Sequence, residues 1–357
     1  YYNTSGQIII ASETSAITAL AQVCIDEESI REWELFRAPI SNHTFYKEIK
    51  SFTPGKIHLS DGRSDPFEKY TQSNANLRQL LTREIKKHEL SNVENVALLS
   101  GGVDSALITA LSSVTKTYSV GVGDTNEFAE AQVTANKLGK ELECVQIDTD
   151  EYNSLLRDMI ITKGCPLSLP NEVLIAKVCK SMKMTEKVVL TGEGADELFW
   201  GYDRIFSYAF QFPKFSMQTF LEQYSYKSVE PTERSIEYIQ DLASGKTYLE
   251  FLDRFFRTHH LQVLLRRMDF ASMYASKEAR VPFVSLTLFD LMKNKGYADR
   301  NGALGPKTPL KSILLDLGVQ GPVNMKKIGF TTVSSRSKSK VEYQKFQQIN
   351  LEVLGWQ

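Results

Sequence analysis

The amino-acid sequence predicts an α/β fold: a doubly wound parallel sheet, preceded by a small β-rich N-terminal piece and followed by a helical C-terminal extension. Short apolar runs alternate with stretches of helical spacing between residues 76 and 200, the pattern of a parallel sheet with crossover helices. The apolar runs are continuous, as expected of strands that are buried on both faces. After residue 205 strand signals become rare, and helical spacing with many aromatic residues predominates.

Strands and helices of the sheet are predicted in alternation. The predicted strands cover residues 95–99, 118–122, 144–147 and 188–190. The predicted helices cover residues 76–90, 106–111, 128–138 and 172–182, and Gly139 supplies a typical helix C-terminus. In such a sheet ligands bind beyond the carboxyl ends of the strands, so the loops that follow the strands are expected to carry the chemistry.

The first 60 residues form a smaller unit, with a strand predicted near residues 7–11 and a turn that leads into another strand within residues 53–59. A stretch this short cannot bury a sizeable core of its own, so it must pack against something else, inside or outside this chain. The polar, turn-rich residues 61–66 mark a linker, and we divide the chain into domains at residues 1–72 and 73–357. The basic stretch 334–340 is predicted to be a loop.

Composition argues against several classes of protein. The chain has 357 residues and a formal net charge of -1, which removes the usual electrostatic basis for sequence-independent nucleic-acid binding. Its four cysteines show neither CxxC pairs nor zinc-type spacing, so we interpret them as reduced thiols in a reducing compartment. No apolar run has the length of a membrane-spanning helix. We therefore expect a cytoplasmic protein without a membrane or nucleic-acid partner.

The strongest motif is the hexapeptide Ser-Gly-Gly-Val-Asp-Ser at residues 100–105, which follows an apolar strand and opens a helix. Its two glycines allow a sharp turn and a close approach of a ligand to the backbone. Ser100 and Ser105 add hydroxyl groups, and the helix start adds unpaired N–H groups, which together suit a phosphate. Asp104 beside a phosphate indicates a shared Mg²⁺ ion. The alternative interpretation is an ordinary strand-to-helix turn.

A second motif, Thr-Gly-Glu-Gly-Ala-Asp-Glu-Leu-Phe at residues 191–199, also follows an apolar strand. Three carboxylates within five residues repel one another unless a cation or a positive substrate group lies near. Asp196 is therefore a candidate second Mg²⁺ ligand, and Glu193, between two glycines, is a candidate base. The alternative is that these acidic residues are present only because the helix dipole favours negative charge at a helix N-terminus. That alternative explains the presence of Glu197 but explains Glu193, between two glycines, poorly.

The hexapeptide resembles the PP-loop of ATP pyrophosphatases, which split ATP between its α and β phosphates. Together with Gly-Glu-Gly-Ala-Asp-Glu-Leu-Phe at 192–199, it resembles the synthetase domain of glutamine-hydrolysing asparagine synthetases. Segments 268–273 and 278–283 are similar to a helical segment under the active site of that family, and 327–330 to its late lysine motif. Residues 1–60 resemble the second half of the N-terminal glutaminase domain.

The resemblance implies a fold of the PP-loop, adenine nucleotide alpha hydrolase-like type and an ATP- and Mg²⁺-dependent ligase. A substrate carboxylate attacks the α-phosphorus of ATP, pyrophosphate leaves, and ammonia or another amine attacks the acyl-adenylate. By the same resemblance Asp104 and Asp196 hold Mg²⁺. Glu193 takes a proton from the attacking amine, and Lys327 neutralises charge in the transition state. The expected ATP-binding residues are Leu99, Ser100, Gly101, Gly102, Ser105, Val120, Thr191 and Gly192.

The acceptor and the nitrogen source stay open at this point. Ser285 stands where the family usually has an aspartate, and Leu142 replaces a usual histidine. These differences leave two alternatives: an amide synthetase that acts on a non-aspartate carboxylate of a sugar or peptide, and a non-catalytic nucleotide-binding subunit. No N-terminal cysteine nucleophile is present in this sequence. We therefore expect nitrogen from free ammonia or from glutamine through an upstream glutaminase half or a partner chain. The oligomeric state, including a homodimer, is also open.

Overall fold

A computed structural model describes residues 1–4, 7–59, 63–66, 76–324 and 336–356. Within these residues, five parallel strands form a central sheet, and two antiparallel strand pairs lie in the N-terminal segment. Helices cover both faces of the central sheet. The predicted doubly wound α/β class is therefore confirmed, with one strand more than the four expected.

The elements follow the predicted alternation closely. The N-terminal segment contains β1 (Tyr2–Thr4), β2 (Gln7–Ile9), α1 (Thr14–Thr18), α2 (Glu27–Phe36), β3 (Lys56–His58) and β4 (Ser64–Pro66). The sheet region contains α3 (Leu77–His88), β5 (Glu94–Leu98), α4 (Val103–Leu111), β6 (Lys116–Val122), α5 (Phe128–Leu138), β7 (Glu141–Ile147), α6 (Thr149–Lys163), α7 (Glu172–Ser181), β8 (Glu186–Leu190) and α8 (Ala195–Phe199). The C-terminal region contains α9 (Asp203–Gln211), α10 (Met217–Tyr224), α11 (Glu233–Ala243), α12 (Tyr248–Phe255), a π-helix (Phe256–His260), α13 (Leu261–Met273), β9 (Glu278–Arg280), α14 (Leu286–Met292), α15 (Tyr297–Arg300), α16 (Thr308–Asp316), α17 (Gly321–Asn324) and α18 (Arg336–Leu354).

The strands of the central sheet lie in the order β7-β6-β5-β8-β9, and every neighbouring pair is parallel. Side chains of β5 alternate between the two faces of the sheet. Val96 and Leu98 belong to the core that includes α6, α7 and α13. Ala97 and the following Leu99 belong to the opposite core, with α3, α4 and α16. From β5 the chain winds outward through β6 and β7, then returns to place β8 on the other side. The switch point therefore lies between β5 and β8, where doubly wound sheets bind their ligands.

The N-terminal segment packs against the same chain. Trp33 is fully buried, and its indole N–H donates a hydrogen bond to the Leu167 carbonyl over 2.9 Å. The Tyr46 hydroxyl donates to the Gly164 carbonyl over 2.7 Å. Of the two options left by the sequence, packing inside this chain is the one observed. The proposed domain boundary after residue 72 lies outside the described residues and stays a prediction.

Aromatic side chains fill the helical C-terminal region. Phe206, Phe220, Phe251 and Phe255 are fully buried in one cluster, so they form a helix-packing core. A π-helix, an uncommon conformation that is frequent at functional sites, separates α12 from α13 and contains the buried His260. None of the helices in the described parts of the chain combines the length and hydropathy needed to cross a lipid bilayer.

Three predicted segments have a different structure. Residues 64–66 of the predicted linker form β4, which pairs with β3. Residues 278–280, expected within a helical segment, form β9, which pairs with β8 at the edge of the sheet. Three residues are too few to show a period of two, so the sequence contained no strand signal here. Residues 336–340 of the predicted basic loop begin α18, whereas 334 and 335 lie outside the described residues. The buried Tyr343 and Phe346 anchor this helix to the core, so packing rather than local sequence stabilises it.

Candidate active site

The first glycine-rich loop joins the carboxyl end of β5 to helix α4. The backbone N–H of Ser100 donates to Ser105 Oγ over 3.0 Å, and the N–H of Gly102 donates to Ser100 Oγ over 3.2 Å. The N–H of Gly101 donates to Glu127 Oε2 over 3.1 Å, so a phosphate that uses this amide has to displace a carboxylate. The loop gathers backbone and hydroxyl donors at a helix N-terminus, which is the arrangement that phosphate groups bind.

The second loop joins β8 to α8 and carries the acidic motif. Gly194 has φ +90°, and a Cβ atom there would lie 2.6 Å from Val284 Cγ2, so only glycine fits. The N–H of Glu193 donates to Thr191 Oγ1 over 3.3 Å, which fixes the start of the loop. Glu193 is thereby held at the carboxyl edge of the sheet, at the switch point.

The two loops are in direct contact at Gly192. A Cβ atom on Gly192 would lie 2.8 Å from Asp104 Cβ and 2.9 Å from the backbone nitrogen of Ser105. Such distances are too short for any side chain, and part of the obstruction is backbone that cannot move aside. Glycine at this position therefore allows the loop after β8 to pack against the first turn of α4, and it brings the two predicted motifs into one site.

Two carboxylates of these loops converge on a single positive charge. Lys307 Nζ lies 2.6 Å from Asp104 Oδ2 and 2.5 Å from Asp196 Oδ1. The lysine is buried, with 5% of its surface exposed, and precedes α16 in a left-handed conformation with φ +59°. Gly201 completes the enclosure, because a Cβ atom there would overlap Asp196 Oδ1 and Lys307 Cε. The predicted pair of acidic residues therefore shares one cation site.

This arrangement fits a magnesium ion. The ammonium group already contacts one oxygen of each carboxylate, which demonstrates that a single cation can bridge Asp104 and Asp196. No cluster of three or more His, Cys, Asp or Glu side chains forms a metal site among the described residues. Mg²⁺ commonly takes one or two protein carboxylates and completes its octahedron with water and substrate phosphate oxygens. Two carboxylates beside a loop of the phosphate-binding type match this preference of Mg²⁺ for one or two protein carboxylates and substrate phosphate oxygens.

Glu193, the candidate base, is ion-paired with Arg267 of α13. Arg267 is buried, and its second amino group donates to Asn171 Oδ1 over 3.0 Å. An adjacent guanidinium stabilises the charged form of a carboxylate and makes it a weaker base. The Glu193–Arg267 pair is thus a feature that any proton transfer to Glu193 has to accommodate.

Glu197, the third acid of the motif, has a strongly perturbed carboxyl group. It is fully buried, and burial together with the charges of Glu193 and Asp196 raises the pKa of its carboxyl group to about 8. Its Oε1 accepts a hydrogen bond from the Tyr202 hydroxyl over 2.5 Å, and the same hydroxyl contacts His260 Nε2 at 3.1 Å. Burial lowers the pKa of His260 well below its ordinary value, so this imidazole is neutral. Glu197 is therefore mostly protonated at neutral pH and adds little negative charge to the site.

The remaining predicted residues lie near the same edge, with one outside the described residues. Leu99 and Thr191 directly follow β5 and β8, which are neighbours in the sheet, and both are buried. Val120 is half-buried on β6, the next strand. The structure does not describe Lys327, so the role predicted for it is untested.

Two charged residues of the site were missed by sequence reasoning. Lys307 follows a glycine and a proline, which marks a turn but gives no sign of what the side chain contacts. Arg267 shares the apolar face of α13 with Leu264 and Ala271, all three buried. A charged residue on the buried face of a helix is unusual, and this signal could have identified Arg267 from the sequence.

A phosphate-type loop and paired carboxylates at the switch point of a parallel sheet are typical of nucleotide-binding α/β proteins. The family model for asparagine synthase matches residues 76–346, which is more than half of the chain. The chain therefore belongs to the asparagine synthase family.

Individual relatives agree with this assignment over part of their length. Glutamine-hydrolysing asparagine synthetase 1 of Bacillus subtilis is 30% identical over 225 residues, covering 57% of this chain and 35% of the relative. Glutamine-hydrolysing asparagine synthetase B of Escherichia coli is 29% identical over 230 residues, covering 56% of this chain and 38% of the relative. Among solved structures, an NMN synthetase from Francisella tularensis aligns over 57% of this chain and 96% of its own, with a TM-score of 0.28 and 16% identity. The chain spans little more than a third of the length of the two curated relatives.

Proposed function

We propose that this protein is an ATP- and Mg²⁺-dependent amide-forming ligase of the asparagine synthetase type. The acceptor carboxylate attacks the α-phosphorus of ATP, and pyrophosphate leaves. Ammonia or another amine then attacks the acyl-adenylate, AMP leaves with one of the original carboxylate oxygens, and the amine loses a proton. Membership in the asparagine synthase family supports this chemistry.

The observation that carries the proposal is the convergence of Asp104 and Asp196 on one cationic point beside the Ser100–Ser105 loop. Splitting ATP between its α and β phosphates creates a pyrophosphate leaving group with high negative charge. A site for that reaction needs a cation held next to the phosphate-binding loop, and preorganised charge of this kind is usually the largest contribution to catalysis. Bound Mg²⁺ would supply that positive charge between the two carboxylates.

We assign separate roles in the reaction to the other residues of the site. The loop amides and the hydroxyls of Ser100 and Ser105 bind phosphate oxygens. Glu193 accepts a proton from the attacking amine, and it is held for this by the glycines on either side. We assign to Lys327 the stabilisation of charge on the α-phosphate, on the basis of family resemblance alone. Lys307, which bridges the two carboxylates, is a further cation available to the phosphates once Mg²⁺ takes its place.

For the acceptor, we propose a carboxylate-bearing small molecule and leave aspartate as one candidate among several. Ser285, where the family usually has an aspartate, is 8% exposed and lies at the start of α14. The serine in place of the usual aspartate supports our second candidate, an acceptor carboxylate other than aspartate. For the nitrogen, we propose free ammonia or ammonia released by a glutaminase segment, of which residues 1–72 would be a part.

The test is ATP–pyrophosphate exchange with a panel of carboxylates. Radiolabelled pyrophosphate enters ATP only when adenylation is reversible and a carboxylate is present. We expect exchange that depends on Mg²⁺ and on one class of carboxylate, and that is lost in Asp104→Asn. Nucleotide binding without exchange for any carboxylate would contradict the proposal and favour a non-catalytic subunit.

A further inference from the structure

Helix α8 carries the proposed metal ligand Asp196, but it is too short to hold that side chain in place by itself. It contains only the five residues Ala195–Phe199, and a helix of this length is not stable alone in water. The N–H of Gly201 donates to the Asp196 carbonyl over 2.8 Å, which ties the helix to the segment that follows it. A Cβ atom on Gly201 would overlap Asp196 Oδ1, so the carboxylate lies directly against the same segment. The position of Asp196 therefore depends on what holds residues 201 and 202.

Tyr202 is held by two contacts of its hydroxyl group. The hydroxyl donates to Glu197 Oε1 over 2.5 Å and lies 3.1 Å from His260 Nε2. Because the hydroxyl proton points to the carboxyl group, His260 Nε2 carries a proton and donates it to the hydroxyl oxygen. His260 Nδ1 then accepts a hydrogen bond from the Tyr224 hydroxyl over 2.7 Å. The result is a hydrogen-bond chain that runs in one direction, from Tyr224 through His260 and Tyr202 to Glu197.

The π-helix between α12 and α13 supplies the histidine of this chain. The Leu261 N–H donates to the Phe256 carbonyl, five residues earlier, so this turn contains one residue more than an α-helical turn. The neighbours His259 and His260 are both buried in it, and they contact different parts of the protein. His259 Nε2 lies 3.0 Å from the Phe36 carbonyl at the end of α2, whereas His260 reaches the acidic motif through the tyrosine hydroxyl.

Resting on the proposed function, we propose that Tyr202 and His260 are positioning residues for the metal site and that their hydrogen-bond chain sets its affinity for Mg²⁺. Mg²⁺ requires near-ideal octahedral geometry, so a small displacement of a carboxylate ligand weakens its binding. Removing a group that orients a metal ligand through hydrogen bonds typically lowers metal affinity by roughly 10- to 100-fold. Asp104 is fixed separately, in the first turn of α4, so the chain acts on Asp196.

A purely structural role for these two residues makes a different prediction. They lie among the aromatic side chains of the C-terminal region, where the rings of Tyr202 and Phe256 have centroids 4.9 Å apart. If the hydrogen bonds only stabilise this packing, their loss lowers the midpoint of thermal unfolding and leaves metal affinity unchanged. If they position Asp196, metal affinity falls by more than it does for a change of equal effect on stability elsewhere in the cluster.

The experiment measures metal binding without turnover. Mn²⁺ is the probe, because it takes the same oxygen ligands as Mg²⁺ and its free form gives an electron paramagnetic resonance signal. It is titrated with α,β-methylene ATP, which cannot be split between its α and β phosphates, and without an acceptor. We expect Tyr202→Phe and His260→Leu each to weaken Mn²⁺ binding roughly tenfold. The double variant should lie within about twofold of either single variant, because His260 acts through the Tyr202 hydroxyl.

Matched controls remove the same chemical groups from the same cluster. His259→Leu removes a neighbouring buried imidazole that contacts the end of α2. Tyr248→Phe removes a hydroxyl that donates to Gln223 Oε1 over 2.9 Å. Both controls should lower the midpoint of thermal unfolding but bind Mn²⁺ like the wild type. Asp196→Asn should weaken Mn²⁺ binding at least as much as Tyr202→Phe does.

Wild-type Mn²⁺ affinity in Tyr202→Phe, or an equal loss of affinity in the two controls, would overturn the proposal. If His260→Leu does not fold, Tyr202→Phe, which keeps the aromatic ring, decides. A protein whose Mn²⁺ affinity changes as expected, but which exchanges pyrophosphate with no carboxylate, would refute the proposed function and support this inference. Pyrophosphate exchange together with unchanged Mn²⁺ affinity in both variants would do the reverse.

Discussion

The ammonium group of Lys307 lies between the carboxylates of Asp104 and Asp196, 2.6 Å from an oxygen of the first and 2.5 Å from an oxygen of the second. The three residues precede or begin three different helices, α16, α4 and α8, and they meet only in the folded protein. The lysine has a left-handed backbone conformation, which is uncommon for any residue other than glycine or asparagine. We infer that Lys307 is an internal counter-ion that keeps the two carboxylates, which we propose as metal ligands, together before nucleotide binds.

Replacing this counter-ion should make the protein depend on a metal for stability. Without the ammonium group of Lys307, two partly buried carboxylates face one another, so we expect Lys307→Met to lower the free energy of unfolding by about 3 kcal/mol in the absence of metal. Mg²⁺ should restore part of this loss, because it can bridge the same two oxygens. Thermal unfolding with a chelator and with millimolar Mg²⁺ measures both effects.

The control for this variant is Lys311→Met, within the first turn of helix α16, which Lys307 precedes. Lys311 Nζ donates to the Leu304 carbonyl rather than to a carboxylate, so its loss should not create a response to Mg²⁺. An equal Mg²⁺ response in both variants, or none in Lys307→Met, would contradict the role of Lys307 as a counter-ion.

Asp104 and Asp196 should act as a unit. If they hold one metal ion, Asp104→Asn and Asp196→Asn should each reduce pyrophosphate release by at least about a hundredfold, and the double variant should be little worse than either single variant. Single-turnover pyrophosphate release and calorimetric Mg·ATP binding report the two consequences separately. Independent, additive effects of the two substitutions would argue that the carboxylates do not share a ligand.

Glu193 should matter for the second half-reaction only. Glu193→Gln keeps the size of the side chain but cannot accept a proton, so we expect ATP–pyrophosphate exchange within a few-fold of the wild type and amide formation reduced roughly 10²- to 10⁴-fold. Measuring both reactions on the same preparation removes uncertainty about folding. A parallel loss of exchange and amide formation would assign Glu193 to adenylation instead.

The role of Lys327 is assigned from the family resemblance, and its loss should affect adenylation, the half-reaction that Glu193→Gln should leave intact. Lys327→Ala should bind ATP with nearly unchanged affinity but suppress pyrophosphate release, because its charge is needed only as the α-phosphate becomes pentavalent. Its neighbour Lys326 offers the control, since the spacing to Gly329 and Phe330 selects Lys327. Normal adenylation by Lys327→Ala would show that the assignment is wrong.

Glu197 should make stability depend on pH. Its pKa is about 8 in the folded protein and near the ordinary 4.5 when unfolded, so between these values the folded state retains a proton that the unfolded state releases. The free energy of unfolding therefore falls as pH rises through this window, by up to about 1.4 kcal/mol per pH unit. Glu197→Gln keeps an acceptor for the Tyr202 hydroxyl and removes the titration. Denaturant unfolding in a chelator at several pH values should show a flatter profile for the variant, and identical profiles would disprove the raised pKa.

Much of the sheet could be predicted because it depends on local patterns. The continuous apolar run of β5 predicted a strand buried on both faces, and the side chains of Val96 and Ala97 do enter opposite cores. Gly139, predicted to end α5, has the left-handed conformation that this position requires. The two glycine-containing motifs, at residues 100–105 and 191–199, could be located in the same way, since each follows a strand that ends at one edge of the sheet.

The rest depends on contacts between distant segments. Nothing in the sequence near Lys307 distinguishes it from other lysines, because its partners are Asp104 and Asp196, far away along the chain. Strand β9 is too short to show a periodic pattern, and only its pairing with β8 defines it. Trp33 resembles any buried aromatic residue until its contact with Leu167 reveals where the N-terminal segment packs.

The most direct measurement follows an oxygen atom of the acceptor. With a carboxylate labelled by ¹⁸O, attack on the α-phosphorus and later displacement by the amine place one labelled oxygen in AMP, which mass spectrometry of the nucleotide product detects. We predict AMP carrying one ¹⁸O, formed together with unlabelled pyrophosphate. Unlabelled AMP, or ADP and labelled phosphate in its place, would contradict activation of the acceptor through an acyl-adenylate.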